Sequence, residues 1–121
     1  LLTILVINQP KALTASKLSG WINSKHEVPI IIDVRETMEL EIAKFPYTNL
    51  HIPMSKVNID YVSSKLSKYK GKKLVILCHM GIRSYNFATF LLNNKFIDEV
   101  WNLEEGIDGW SKYIDPNVPR Y

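Results

Sequence analysis

The sequence predicts an α/β domain with a mostly parallel sheet and helices on both faces. Two fully apolar runs, Ile30-Ile31-Ile32 and Leu74-Val75-Ile76-Leu77, read as strands buried on both sides, which is the pattern of a parallel sheet. Segments with apolar residues at helical spacing alternate with such runs. Right-handed crossovers then bring the carboxyl ends of the strands to one rim, where sites in open α/β sheets lie.

Each element has a local reason. Thr14 is placed to N-cap a helix over 15–24, with Leu18, Trp21 and Ile22 on one face. A strand over 28–34 follows. A helix over 35–43 carries Met38, Ile42 and Ala43 at helical spacing, and Pro46 ends it. A short strand over 50–52 is closed by Pro53. The spacing of Val57, Tyr61, Val62 and Leu66 predicts a helix over 55–69, ended by Gly71 as a C′ glycine. The second apolar strand covers 74–77. A helix over 84–94 has Phe87, Ala88, Leu91 and Leu92 as its buried stripe. A strand over 99–103, Gly106, a helix over 107–113 and an extended tail over 115–121 complete the chain.

The 121 residues suffice for one domain, which at this size buries roughly two-thirds of its unfolded surface. With 46% hydrophobic and 22% charged residues, the composition is that of a soluble globular domain. The formal charge is +3, much of it from Lys65, Lys68, Lys70, Lys72 and Lys73. This reads as a solvated face with some attraction for small anions. Nucleic-acid binding would want a denser patch with interleaved aromatics. Residues 1–7 are apolar but far short of the ~20 needed to span a bilayer, and they lack the flanks of a signal peptide. They are expected as part of an extension or peripheral strand over 1–11, ahead of a domain over 12–121. The chain begins with Leu rather than Met, which fits an excised piece or a non-standard start codon.

The only cysteine, Cys78, stands where the apolar run Leu74–Leu77 stops. A free thiol has a pKa of about 8.5, and beside cations at a helix N-terminus it can fall to roughly 3.5–7.5. Arg83 lies at the junction of the following loop and helix, so its guanidinium is expected over the loop mouth. Gly81 permits backbone conformations other residues resist. The N–H groups of 79–84 are expected to surround the sulfur as an anion nest, with Ser84 as N-cap of the next helix. A lone cysteine at a strand end is often only a small buried hydrophobe. The strand, glycine loop, arginine and helix start together favour a functional thiol in a reducing compartment, with no disulfide framework. Asp33 ends the other apolar strand, so it is expected at the same rim.

Four motifs, in order, carry a family resemblance. Cys78-His79-Met80-Gly81-Ile82-Arg83-Ser84 resembles the Cys-x-x-Gly-x-Arg-Ser loop of rhodanese domains. Ile31-Ile32-Asp33-Val34-Arg35-Glu36 resembles their Ile-Asp-Val-Arg-Glu strand end, and His51-Ile52-Pro53 their His-Ile-Pro segment. The stretch from Trp101 to Trp110 resembles the late L-x-G-G-I-x-x-W signature, with Glu105-Gly106 in place of the glycine pair. Met54 replaces the usual glycine after Pro53, and position 79 is His rather than the frequent Arg, which bears on donor preference. The motifs span residues 31–110, and the likeness covers about 12–121.

The resemblance implies a three-layer rhodanese-like fold with a mostly parallel sheet of about five strands. It implies a single-domain sulfurtransferase in which Cys78 takes a sulfane sulfur from thiosulfate or a persulfide, holds it as a persulfide, and passes it to a nucleophilic acceptor, a thiol or protein included. Arg83 would hold the anionic donor, and the loop His79–Ser84 would stabilise it. Asp33 and Arg35 are themselves expected as structural, supporting residues that pair near the loop or with Glu36 or Glu39, with a role in orienting the loop as the functional alternative. No cofactor, metal, nucleic acid or membrane is implied, and the expected form is a monomer in the cytoplasm, or in the plastid stroma for an organellar chain. The tail 115–121 resembles those of stand-alone rhodaneses and also of rhodanese domains fused behind adenylyltransferases that activate ubiquitin-like sulfur carriers. A non-catalytic module keeping the fold is a further alternative, opposed by the retained Cys78 and Arg83. Four residues separate Cys78 from Arg83, against five in Cys-loop-Arg phosphatases, so phosphatase and arsenate reductase chemistry is disfavoured. His51 is expected as a satisfied core or rim histidine, His26 as exposed, and Trp21, Trp101 and Trp110 as core or lid aromatics.

Overall fold

A computed structural model describes residues 8–121. The reading of residues 1–7 as extension or strand falls outside them. The order of elements is β1 (Lys11–Leu13), α1 (Ala15–Ile22), β2 (Ile30–Asp33), α2 (Thr37–Ile42), β3 (Leu50–His51), α3 (Ile59–Leu66), β4 (Leu74–Leu77), α4 (Ile82–Asn93), β5 (Trp101–Leu103) and α5 (Gly106–Tyr113). The five strands form one sheet in the order β1-β5-β4-β2-β3, every pairing parallel.

The apolar runs are central, as strands buried on both faces must be. Ile30 to Asp33 of β2 lie in register with Leu74 to Leu77 of β4. Alternation along them feeds two cores. Ile31, Val75 and Leu77 pack with Leu18 of α1 and Ile107 and Trp110 of α5. Ile32 and Ile76 pack on the other face with Val62 of α3 and Phe87 and Leu91 of α4. Helices therefore cover both faces. Trp21 meets Trp101 edge-to-face at 5.1 Å, and Trp110 meets Phe45 at 4.9 Å, so all three tryptophans serve packing.

The expected helix over 55–69 is broken. Asn58 caps α3 by accepting from the Tyr61 N–H, and single 3-10 turns at Met54–Lys56 and Ser67–Tyr69 flank it. A capping asparagine competes with the helix interior, which apolar spacing alone does not reveal. Helix α4 begins earlier than expected, at Ile82, because Gly81 takes a left-handed conformation (φ 96°) and becomes its N-cap in place of Ser84. Met38 and Ile42 of α2 are exposed, and only Ala43 of that set is buried. Among the described residues no helix is long and apolar enough to cross a membrane.

Candidate active site

The pairing of β2 with β4 places Asp33 beside Leu77, so the segments that leave these strands share one rim. On one side the chain enters α2, and on the other it turns through Cys78–Gly81 into α4.

Cys78 lies at the floor of this turn, 1% exposed. The Gly81 N–H donates to its Sγ at 3.1 Å, and the Ser84 hydroxyl lies 3.2 Å away in the buried first turn of α4. Of the expected ring of N–H groups, only that of Gly81 donates to the sulfur among the described residues. Ser84 thus reaches the thiol rather than capping the helix. Both groups, with the N-terminus of α4, favour negative charge on the atom they face. Met80 and Ile82 are exposed, so these loop residues line the outer lip of the turn.

The loop is clamped from below by the β5–α5 turn. The Ile107 N–H donates to the Cys78 carbonyl at 2.9 Å, the Asp108 N–H to the His79 carbonyl at 3.1 Å, and Asn102 Nδ2 to the Gly81 carbonyl at 3.1 Å. A Cβ on Gly106 would lie 2.3 Å from the His79 oxygen, and one on Gly81 1.9 Å from the Glu104 oxygen. Both glycines have positive φ, whereas Glu105 sits at φ −100°, which any residue adopts. This explains why Glu105 is accommodated where the family pattern has glycine. Met54 is accommodated too, half-buried against the second core.

Arg83 does not swing over the mouth. Its Nη1 and Nη2 donate to the two oxygens of Glu39 at 2.7 and 2.8 Å. Glu39 is the third residue of α2, and its Oε2 also accepts the Glu36 N–H at 2.8 Å in a capping box. The Arg83 guanidinium, the largest influence, holds the Glu39 carboxyl well down, at about 2, and the carboxylate in turn raises the Arg83 pKa. Arg35 is fully buried and forks onto Asp33, Nη2 to Oδ2 at 2.8 Å, with the Arg35 N–H closing a turn onto Oδ1 at 3.0 Å. Its pair is therefore Asp33, neither Glu36 nor Glu39. Burial opposes the Arg35 charge, but hydrogen bonds to Asp33 and Tyr121 outweigh it and raise its pKa. His51 Nε2 donates to the Arg35 carbonyl at 2.6 Å, which makes it a satisfied rim histidine. His26 is exposed.

Tyr121 was not legible as a site residue. Its ring stacks on His79 at 3.9 Å and 6°, its hydroxyl accepts from Arg35 Nη1 at 3.1 Å, and it donates to Glu39 Oε1 at 2.9 Å. A concavity of about 560 Å³ lies at the opposite end of the sheet, between Tyr69, Lys73, Phe96 and Glu99, and holds none of these residues. The lysines there are mostly solvated, with Lys73 paired to Glu99 at 3.6 Å.

The fold and this rim define a class: a parallel α/β domain that presents a cysteine, a short glycine-bearing turn and an arginine-bearing helix at the carboxyl edge of its sheet. The chain belongs to the rhodanese-like domain family, whose model matches residues 14–113. It is 30% identical over 113 residues to the adenylyltransferase and sulfurtransferase UBA4 of Debaryomyces hansenii, covering 90% of this chain and 25% of that protein. It is 32% identical over 108 residues to the chloroplastic rhodanese-like/PpiC domain-containing protein 12 of Arabidopsis thaliana, covering 83% of this chain and 35% of that one. The chain therefore spans about a quarter to a third of the length of these relatives. A rhodanese-like domain protein from Staphylococcus aureus superposes with a TM-score of 0.66 at 27% identity, over 92% of this chain and 98% of that one.

Proposed function

We propose that this domain is a sulfurtransferase that carries sulfur as a persulfide on Cys78. The observation that carries this reading is the sulfur's own environment: a buried Sγ with the Gly81 N–H at 3.1 Å and the Ser84 hydroxyl at 3.2 Å, at the N-terminus of α4. The Cys78 thiolate attacks the sulfane sulfur of the donor. A new S–S bond forms as the donor's bond to that sulfur breaks, and the leaving group departs with the electron pair, as sulfite from thiosulfate or as a thiolate from a persulfide. Cys78–S–S⁻ remains, and a nucleophilic acceptor then takes the outer sulfur and returns the thiolate. Preformed dipoles at the loop stabilise charge at both stages without reorganising. Asp33, Arg35 and the clamped carbonyls of Cys78 and His79 hold the loop in shape.

A second reading concerns context. The chain corresponds to a quarter of a relative named for both adenylyltransferase and sulfurtransferase, which supports a role as the sulfur-transferring part of a larger protein with a protein acceptor. The direct test is thiocyanate formation from thiosulfate and cyanide. Wild type is expected to turn over with ping-pong kinetics, and Cys78→Ala to lose the activity. Equal rates for the two would overturn the reading.

A further inference from the structure

Resting on the sulfurtransferase reading, we propose that Glu39 sets the charge of the donor the site accepts, favouring a singly charged sulfane-sulfur donor over a dianion. The geometry that carries this is the filled carboxylate. Its two oxygens take four donors: Arg83 Nη1 and the Glu36 N–H on Oε2, Arg83 Nη2 and the Tyr121 hydroxyl on Oε1. A carboxylate has about four lone-pair sites, so this one is fully engaged and well held. The Arg83 side chain is 35% exposed and the Glu39 side chain 15%, so the pair borders the mouth.

The consequence is a charge balance. The two guanidinium groups beside the loop, Arg35 and Arg83, are matched one to one by Asp33 and Glu39. Position 79, next to the thiol, carries an imidazole stacked on Tyr121 rather than a third guanidinium. A dianion such as thiosulfate that takes Arg83 as its counter-charge must compete with the Glu39 carboxylate and is repelled by it. A monoanion of the same shape meets half that repulsion. Burial raises the Tyr121 pKa, which keeps its hydroxyl protonated as a donor that locks Glu39 in place.

Two donors separate charge from shape. Thiosulfate is a dianion. Methanethiosulfonate is a monoanion with the same tetrahedral sulfur and the same transferable sulfane atom, and it leaves as methanesulfinate. In Glu39→Gln, the ratio of kcat/KM for thiosulfate to that for methanethiosulfonate should rise about tenfold, the scale of one added unit charge in a partly exposed site. Most of the rise should come from a lower KM for thiosulfate. Tyr121→Phe keeps the stack on His79 but removes one of the two donors on Glu39 Oε1, and should shift the ratio the same way by about twofold. Because each ratio is taken within one variant, loss of folded protein cancels. An unchanged or lowered ratio in Glu39→Gln overturns the assignment of Glu39 while leaving sulfur transfer intact. Absence of transfer from both donors in wild type overturns the sulfurtransferase reading itself. Should Glu39→Gln not fold, an unchanged ratio in Tyr121→Phe overturns the assignment.

Discussion

The carboxylate of Glu39 grips both terminal nitrogens of Arg83, at 2.7 and 2.8 Å, and ties the start of α2 to the first turn of α4. The bond holds the Glu39 carboxyl at about 2, below its ordinary 4.5. A lowered folded-state pKa means that the unfolded chain binds more protons between these values. The stabilisation is therefore complete above pH 4.5 and lost as pH falls toward 2. Glu39→Gln should flatten the stability curve in that window. It should lower stability at pH 7 by about 1–2 kcal/mol, a figure reduced for the partial exposure of Arg83. Denaturant unfolding across pH checks both.

The Asp33–Arg35 pair should behave differently, because both side chains are sealed, at 1% and 0% exposure. Asp33→Asn leaves a guanidinium buried without its counter-charge and should cost about 3–5 kcal/mol. The double change Asp33→Leu, Arg35→Met should recover much of that loss. Urea unfolding of wild type, Asp33→Asn and the double variant checks both the loss and its recovery.

Two glycines give opposite expectations for the same substitution. Gly106→Ala forces a positive φ on a side chain and a Cβ 2.3 Å from the His79 oxygen, so the Cys78 loop must move. It should destabilise by about 2 kcal/mol or more and depress transfer further than the stability loss explains. Gly20, inside α1, has nothing within 4 Å of where a Cβ would stand, and should gain about 0.5–1 kcal/mol as Gly20→Ala. Thermal melts and transfer rates of the two variants make the comparison.

Ser84→Ala removes the hydroxyl 3.2 Å from the Cys78 sulfur and little else. A hydrogen bond to a charged atom is worth about 1.5–3 kcal/mol, so single-turnover persulfide formation should slow by roughly tenfold or more. The melting temperature should change little. An unaffected rate would show that the hydroxyl is only a packing neighbour.

The fold was legible because β4 and the first three residues of β2 are apolar without interruption, a pattern only a two-faced parallel sheet requires. Cys78, Gly81, Arg83 and Ser84 were legible as a spacing, and the rim shared with Asp33 followed from strand adjacency. The partners of the charged residues were not. Glu39 and Arg83 are 44 residues apart, and Tyr121 reaches Arg35 across 86, distances over which no local pattern acts. Asn102 and Gly106 were hidden for a similar reason: their role is to bond and clear a loop from another part of the chain. The early start of α4 was missed because Ser84 is a good cap by type, while Gly81 supplies the left-handed turn that sets the boundary.

Because Cys78 is the only cysteine, the intact mass of the protein reports directly on the central claim. Brief treatment with a sulfane-sulfur donor, followed by removal of the excess, should add one sulfur atom, about +32 Da, to wild type and none to Cys78→Ala. Cyanide should then return the mass to its starting value with an equal yield of thiocyanate. An unmodified wild-type mass with both thiosulfate and methanethiosulfonate, or an adduct that cyanide does not discharge, would contradict a persulfide carrier at Cys78.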